Sequence, residues 1–130
     1  MNKPLPINYE RDVPDYAESE YLHNHIDNIL LLSESGEYSS YDVGDGLYEL
    51  VKRLAENPGG IDDEHSMKVF EWIKLNWPSG NIEALDTAVS VLVNLRYAHM
   101  HVEFLREQLT KELTAGEMEI IYDAISEYSG

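Results

Sequence analysis

Asn81 to Leu113 reads NIEALDTAVSVLVNLRYAHMHVEFLREQLTKEL and contains neither proline nor glycine. Leu85, Val89, Leu92, Leu95, Val102, Leu105, Leu109 and Leu113 follow the three- and four-residue period of an amphipathic helix, interrupted at His99. From Ala84 to Leu95 the apolar residues nearly encircle such a helix, and only Asp86, Thr87, Ser90 and Asn94 stay polar. A helix apolar on almost every side must be surrounded by others. The stretch therefore predicts an all-α, single-domain bundle packed around a long central helix at about 81–113. Unbroken, that helix would be roughly 50 Å long, against a diameter of about 35–40 Å for a compact chain of this size. The interrupted stripe at Arg96–His101 is where it would bend or split, although no proline forces a kink there.

Working outward, residues 1–14 hold Pro4, Pro6 and Pro14, each of which turns its predecessor away from helix. This predicts an extended arm packed through Leu5, Ile7 and Tyr9, with 15–130 as the helical domain. Asp15 with Glu18 three residues on resembles a capping box, and Leu22, Ile26, Ile29 and Leu30 form the stripe of a helix ending near Gly36. The middle of Glu34–Glu49, ESGEYSSYDVGDGLYE, reads as an irregular loop, with the next helix starting at about Asp45 and burying Leu47, Leu50, Val51 and Leu54. Asn57-Pro58-Gly59-Gly60 stops it. Asp62 is the expected N-cap of a third helix, with Met67, Phe70, Ile73 and Trp77 on one face and Pro78-Ser79-Gly80 as its end. After the central stretch, Thr114 and Glu117 make a capping box for a last helix with the stripe Met118, Ile121, Tyr122, Ile125 and Tyr128. The expected total is five helices, or six if the long one splits.

Composition narrows the function classes. The 130 residues are enough for one domain with a real core, and no cysteine occurs, which excludes disulfides, zinc–thiolate sites and thiol nucleophiles. No basic stretch leads into an apolar run, and no apolar run is long enough to span a bilayer, so a cytoplasmic protein is expected. The chain carries 25 acids and 9 bases, a net charge of −16, beyond the range that solubility calls for. Residues 1–50 hold 11 of the acids and 2 of the bases, so the negative charge is denser at that end. Without a basic patch, direct binding to nucleic acid or to an anionic membrane is disfavoured. A basic protein partner is favoured.

Catalytic motifs are missing. Neither a GxxxxGK[ST] phosphate loop, a GxSxG elbow nor HExxH occurs, and Tyr41 and Val43 stand where a calcium loop around Gly44–Gly46 would need oxygen ligands. The pairs His23–His25 and His99–His101 are two residues apart, roughly 200° around a helix, and cannot chelate one ion. Glu20 and His23 form an E-x-x-H with Asp27 one turn on, and His99 lies one turn from Glu103, a sketch of a metal-dependent helical enzyme. The second E-x-x-H of a di-iron bundle is absent, because Arg96 stands where its glutamate belongs. The plainer reading puts His99 at the edge of the core and His23 and Asp27 on a solvated face, with no cofactor. Nor do the acids form the facing ladders of an all-α nucleotide pyrophosphohydrolase. A non-enzyme is expected.

The best functional candidate is the tyrosine- and acid-rich segment comprising Glu37, Tyr38, Tyr41, Asp42, Asp45, Tyr48 and Glu49. Tyrosines supply burial at little entropic cost, and carboxylates meet lysine and arginine as phosphates do. In size, acidity and helical fold the chain resembles the small acidic helical nuclease-immunity proteins, a likeness of type carried by no alignable motif. The expected function is a non-enzymatic inhibitor, most specifically an immunity protein occluding a basic nuclease toxin. A nucleic-acid mimic aimed at another protein and a regulatory homodimer joined through Trp72 and Tyr128 are the alternatives beside the metal enzyme.

Overall fold

A computed structural model describes residues 3–78 and 80–129. Met1 and Asn2 of the expected arm, Ser79 of the expected Pro78-Ser79-Gly80 stop and Gly130 lie outside the described residues. The described residues are all helical, without a strand: α1 Tyr9–Asp12, α2 Ser19–Ser33, α3 Ser40–Ala55, α4 Asp63–Leu75, α5 Ile82–Leu92, α6 Ala98–Gln108 and α7 Ala115–Ser129. None is long and apolar enough to cross a membrane.

Most starts are set by side chains that accept a free backbone N–H. Asn8 accepts from Arg11, Ser39 from Asp42, Asp62 from His65 and Asn81 from Ala84, all at 2.8–3.1 Å. At α7 the capping box is reciprocal, with Glu117 N–H donating to Thr114 Oγ1 and Thr114 N–H to Glu117 Oε1. The expected start at Asp15 is not used. The chain turns there, and α2 begins at Ser19 after Glu18, which makes no side-chain cap bond. Leu5 and Ile7 of the arm pack half-buried against the core, and Tyr9 is buried in the added one-turn helix α1.

The long helix is two helices. α5 ends at Leu92, α6 starts at Ala98, and Val93–Tyr97 joins them. Tyr97 takes the left-handed conformation at φ 67°, which a non-glycine residue adopts only when its surroundings impose it. Arg96 supplies the constraint. Its N–H donates to the buried Ser66 Oγ at 2.9 Å, and its guanidinium donates to the carbonyls of Ile61 and Gly59, both at 2.6 Å. The break therefore falls at the near edge of the expected Arg96–His101 interval and is made by polar anchoring.

A second difference concerns 34–49. The expected loop is shorter, because α3 starts at Ser40, five residues before the expected Asp45. Gly44 and Gly46, read as loop signals, lie inside it and are buried. A Cβ on Gly46 would collide with Ile29 Cδ1 and stand 2.9 Å from the Tyr9 ring. Gly46 lets α1 and α2 come close, and that packing offsets the ~1 kcal/mol that glycine costs in a helix, whereas a Cβ at Gly44 would only touch Trp72 at 4.0 Å.

The hub shifts accordingly. α3 packs on α1, α2 and α5, α5 packs on α3 and α7, and α4 packs on α2. Leu22, Ile26, Leu47, Leu50, Leu54, Leu85 and Leu92 are fully buried between them. At the other end, Phe70 meets His101 and Phe104 edge-on, and Trp77, beyond the end of α4, meets Phe104 at 4.9 Å. The core histidine is His101, and His99 is exposed. On α7 the buried line is Glu117, Ile121 and Ala124, while Met118 and Tyr122 of the expected stripe face solvent.

Candidate partner-binding surface

Because Ser39 caps α3, Tyr41, Asp42, Asp45, Tyr48 and Glu49 sit on a helix with fixed spacing, while Glu37 and Tyr38 precede it. Val43, Gly44, Gly46 and Leu47 take the buried side, which turns Tyr41, Asp42 and Asp45 outward. Tyr41 is 40% exposed, in a protein where most large apolar side chains are covered. Beside it runs a groove of about 240 Å³ between α3, α4 and α5, lined by Tyr41, Asp45, Trp72, Asn81, Ala84 and Thr87. A cleft of about 380 Å³ flanks the other side, between α3 and the arm, with Leu5, Ile7, Asp42, Asp45 and Tyr48 in its wall. Asp45 thus stands on the ridge between two depressions.

The electrostatics separate the seven expected residues. Glu37 pairs with Lys3 at 3.1 Å at the surface, and Tyr38 is half-buried against the core. Tyr48 lies under Lys52 Nζ, 5.1 Å from the ring centre. Glu49 serves the fold. It binds the buried Arg53 at 2.9 Å, and Arg53 in turn donates to the Glu10 carbonyl at 3.1 Å, tying α1 to α3. Asp42 and Asp45 meet no cation among the described residues. The Asp45 carboxyl is raised above the usual carboxylate range by partial burial, opposed by the Thr87 hydroxyl bond and reinforced by the charges of Asp42 and Glu49. Asp45 also raises the Tyr41 hydroxyl, with burial, Glu83 and Asp42 adding to it. The face is negative on both sides of the groove, since Glu83 enters from α5. An acid in the first turn of a helix is ordinary in sequence, and only the α3–α5 contact reveals where Glu83 stands.

The residues singled out for metal divide. His99 and Glu103 are exposed on α6, away from the others. His23 is buried, contrary to the solvated face expected for it, and comes together with Asp62 and His65. Asp27 lies 3.0 Å from His65 Nε2, and Glu20 borders the shallow depression over this cluster. Asp62 and His65 were missed as partners because they lie about forty residues further along, at the cap and in the first turn of α4. Comparison with protein-family models, curated proteins and solved structures finds no match, so the chemistry of these surfaces has to be read from the chain itself.

Proposed function

We propose that the protein is a non-enzymatic inhibitor of a basic protein, engaging it through the outward face of α3. The most specific form is an immunity protein acting in the cytoplasm on a nuclease toxin. The observation that carries the reading is the pair Asp42 and Asp45, held one turn apart with no cation paired to them among the described residues, although burial and the neighbouring Asp42 charge oppose the ionisation of Asp45. An incoming lysine or arginine relieves that repulsion. Tyr41 beside the groove supplies an aromatic anchor at the same place. In a nuclease, the carboxylates would take the positions of substrate phosphates, and occlusion would follow without chemistry. A net charge of −16 would speed the encounter and make it salt-sensitive.

The test is retention of a basic protein on the immobilised chain, released by rising salt, with its nuclease activity suppressed by the bait. Tyr41→Ala and Asp42→Lys should each weaken that complex while leaving the melting temperature nearly unchanged. A partner without nuclease activity that binds nucleic acid would make the chain a nucleic-acid mimic. If neither substitution changes the affinity, the α3 face is not the contact surface.

A further inference from the structure

We propose that His23, Asp62 and His65 form a binding site for a divalent first-row transition metal, with zinc as its occupant. The three side chains come from α2, from the residue before α4 and from the first turn of α4, so the site would clamp α2 to the start of α4. Their ligand atoms all lie within 4.8 Å of one another.

The ring nitrogens are already arranged for this. His23 Nδ1 is 2.8 Å from the Ser19 carbonyl, which can only accept, so Nδ1 carries the proton and Nε2 keeps its lone pair. Nε2 lies 3.7 Å from Asp62 Oδ2. His65 Nδ1 is 2.7 Å from Asp62 Oδ1. Bonds of about 2.0–2.1 Å in a tetrahedral zinc site imply ligand–ligand edges of roughly 3.3 Å. The 2.7 and 3.7 Å distances run to the two different oxygens of Asp62, so a small rotation of this exposed carboxylate would bring one oxygen to both rings. The two rings stand with centroids 4.6 Å apart. His65 Nε2 makes no directed hydrogen bond but sits 3.0 Å from Asp27 Oδ1, the outer carboxylate that commonly orients a metal-bound imidazole. Ser19 plays that part for His23.

Binding exchanges a proton for the ion. In the metal-free protein the His65 ring lies between the Asp27 and Asp62 carboxylates. The cation takes the Nδ1 lone pair, the Nδ1 proton leaves to solvent, and Nε2–H stays facing Asp27. The Asp62 N–H, which now donates to His23 Nε2 at 3.1 Å, passes to water at the exposed turn. The fourth position opens into the depression bordered by Glu20, Asn24, Gly60 and Arg96. The N-terminal end of α4 by itself repels a cation. Asp62, Asp63 and Glu64 outweigh it, while Lys68 is held off by Asp27 and Glu64, and Arg96 by Asp63. Two imidazoles and one carboxylate suit zinc and its neighbours and do not suit magnesium or calcium.

The experiment is calorimetric titration of the chelator-stripped full chain with zinc chloride at pH 7.5, and with magnesium chloride in parallel. One equivalent of zinc should bind, with a buffer-dependent enthalpy that reports the released proton. His65→Gln and Asp62→Asn should each weaken it more than about ten-fold. Asparagine still caps a helix, so Asp62→Asn keeps α4 and its far-UV circular dichroism. Zinc should raise the melting temperature of the wild type and not that of His65→Gln. No zinc uptake, unchanged affinity in both variants, or magnesium binding as tight as zinc would each overturn the site.

Discussion

The N–H of Arg96 donates to the hydroxyl of Ser66, thirty residues earlier in the chain, and the longest apolar stretch of the sequence stops being one helix at that bond. Ser66 is 1% exposed, so its hydroxyl has no water in reserve. Ser66→Ala should cost about 1–3 kcal/mol, the penalty for leaving a partly buried N–H unmet. Urea unfolding measures it. Arg96→Ala should cost a similar amount through the Gly59 and Ile61 carbonyls.

Gly46 invites the opposite of a common stabilising change. Alanine in a helix interior gains up to ~1 kcal/mol over glycine. Here the added methyl meets Ile29 and Tyr9, and overpacking of this kind costs about 1–3 kcal/mol. Gly46→Ala should lower the melting temperature, and Gly36→Ala, with open space around it but φ at 74°, should lower it through backbone strain alone.

Acid should unfold the protein partly through His101. Burial, with His99 adding to it, lowers its pKa from 6.5 to about 4. Between those values the unfolded chain holds a proton that the folded one does not, so stability falls as pH falls through that window. At 1.36 kcal/mol per unit the loss is on the order of 3 kcal/mol. His101→Phe should flatten the acid limb of a stability–pH curve relative to wild type. An unchanged limb would mean that the ring is protonated in place.

His65 has the reverse sign. Burial pulls its pKa down, but the Asp27 and Asp62 carboxylates, within 3.0 Å of its two ring nitrogens, outweigh it and raise the value. Its contribution is complete below 6.5 and is lost as pH rises through the folded pKa. Asp27→Asn should therefore reduce stability more at pH 6 than at pH 9, as thermal melts at the two values would reveal.

Asp45 should behave as a residue kept at the expense of the fold. Because its carboxyl is raised, ionisation at neutral pH works against folding. Asp45→Asn should leave stability unchanged or higher by up to about 0.5 kcal/mol, and still weaken a basic partner. Loss of stability on that substitution would argue that Asp45 is structural.

The sequence made the class of fold legible because helix caps and apolar periods are local. Asp62 works as a cap whatever surrounds it, and Thr114 with Glu117 forms its box within four residues, whereas the Ser39 cap was hidden among the glycines and acids that follow it. The split between α5 and α6 was marked only as a gap in a stripe, since its cause, Ser66, is remote. The glycines of α3 misled for the same reason: in isolation they weaken a helix, and only the remote Ile29 and Tyr9 explain Gly46. Of the candidate surfaces, Tyr41, Asp42 and Asp45 could be read from one segment. Glu83 and the meeting of His23 with Asp62 and His65 could not, because no period links residues on helices paired in space.

The same glycines have a consequence for how this chain can vary. Between Tyr41 and Leu47, residues that must stay small or apolar alternate with residues free to change. A library randomised over these seven positions would sort in two ways. Substitutions at 43, 46 and 47 would lower the yield of folded protein, whereas those at 41, 42 and 45 would leave it intact. A lineage could therefore rewrite the outward face of this helix without rebuilding the domain beneath it.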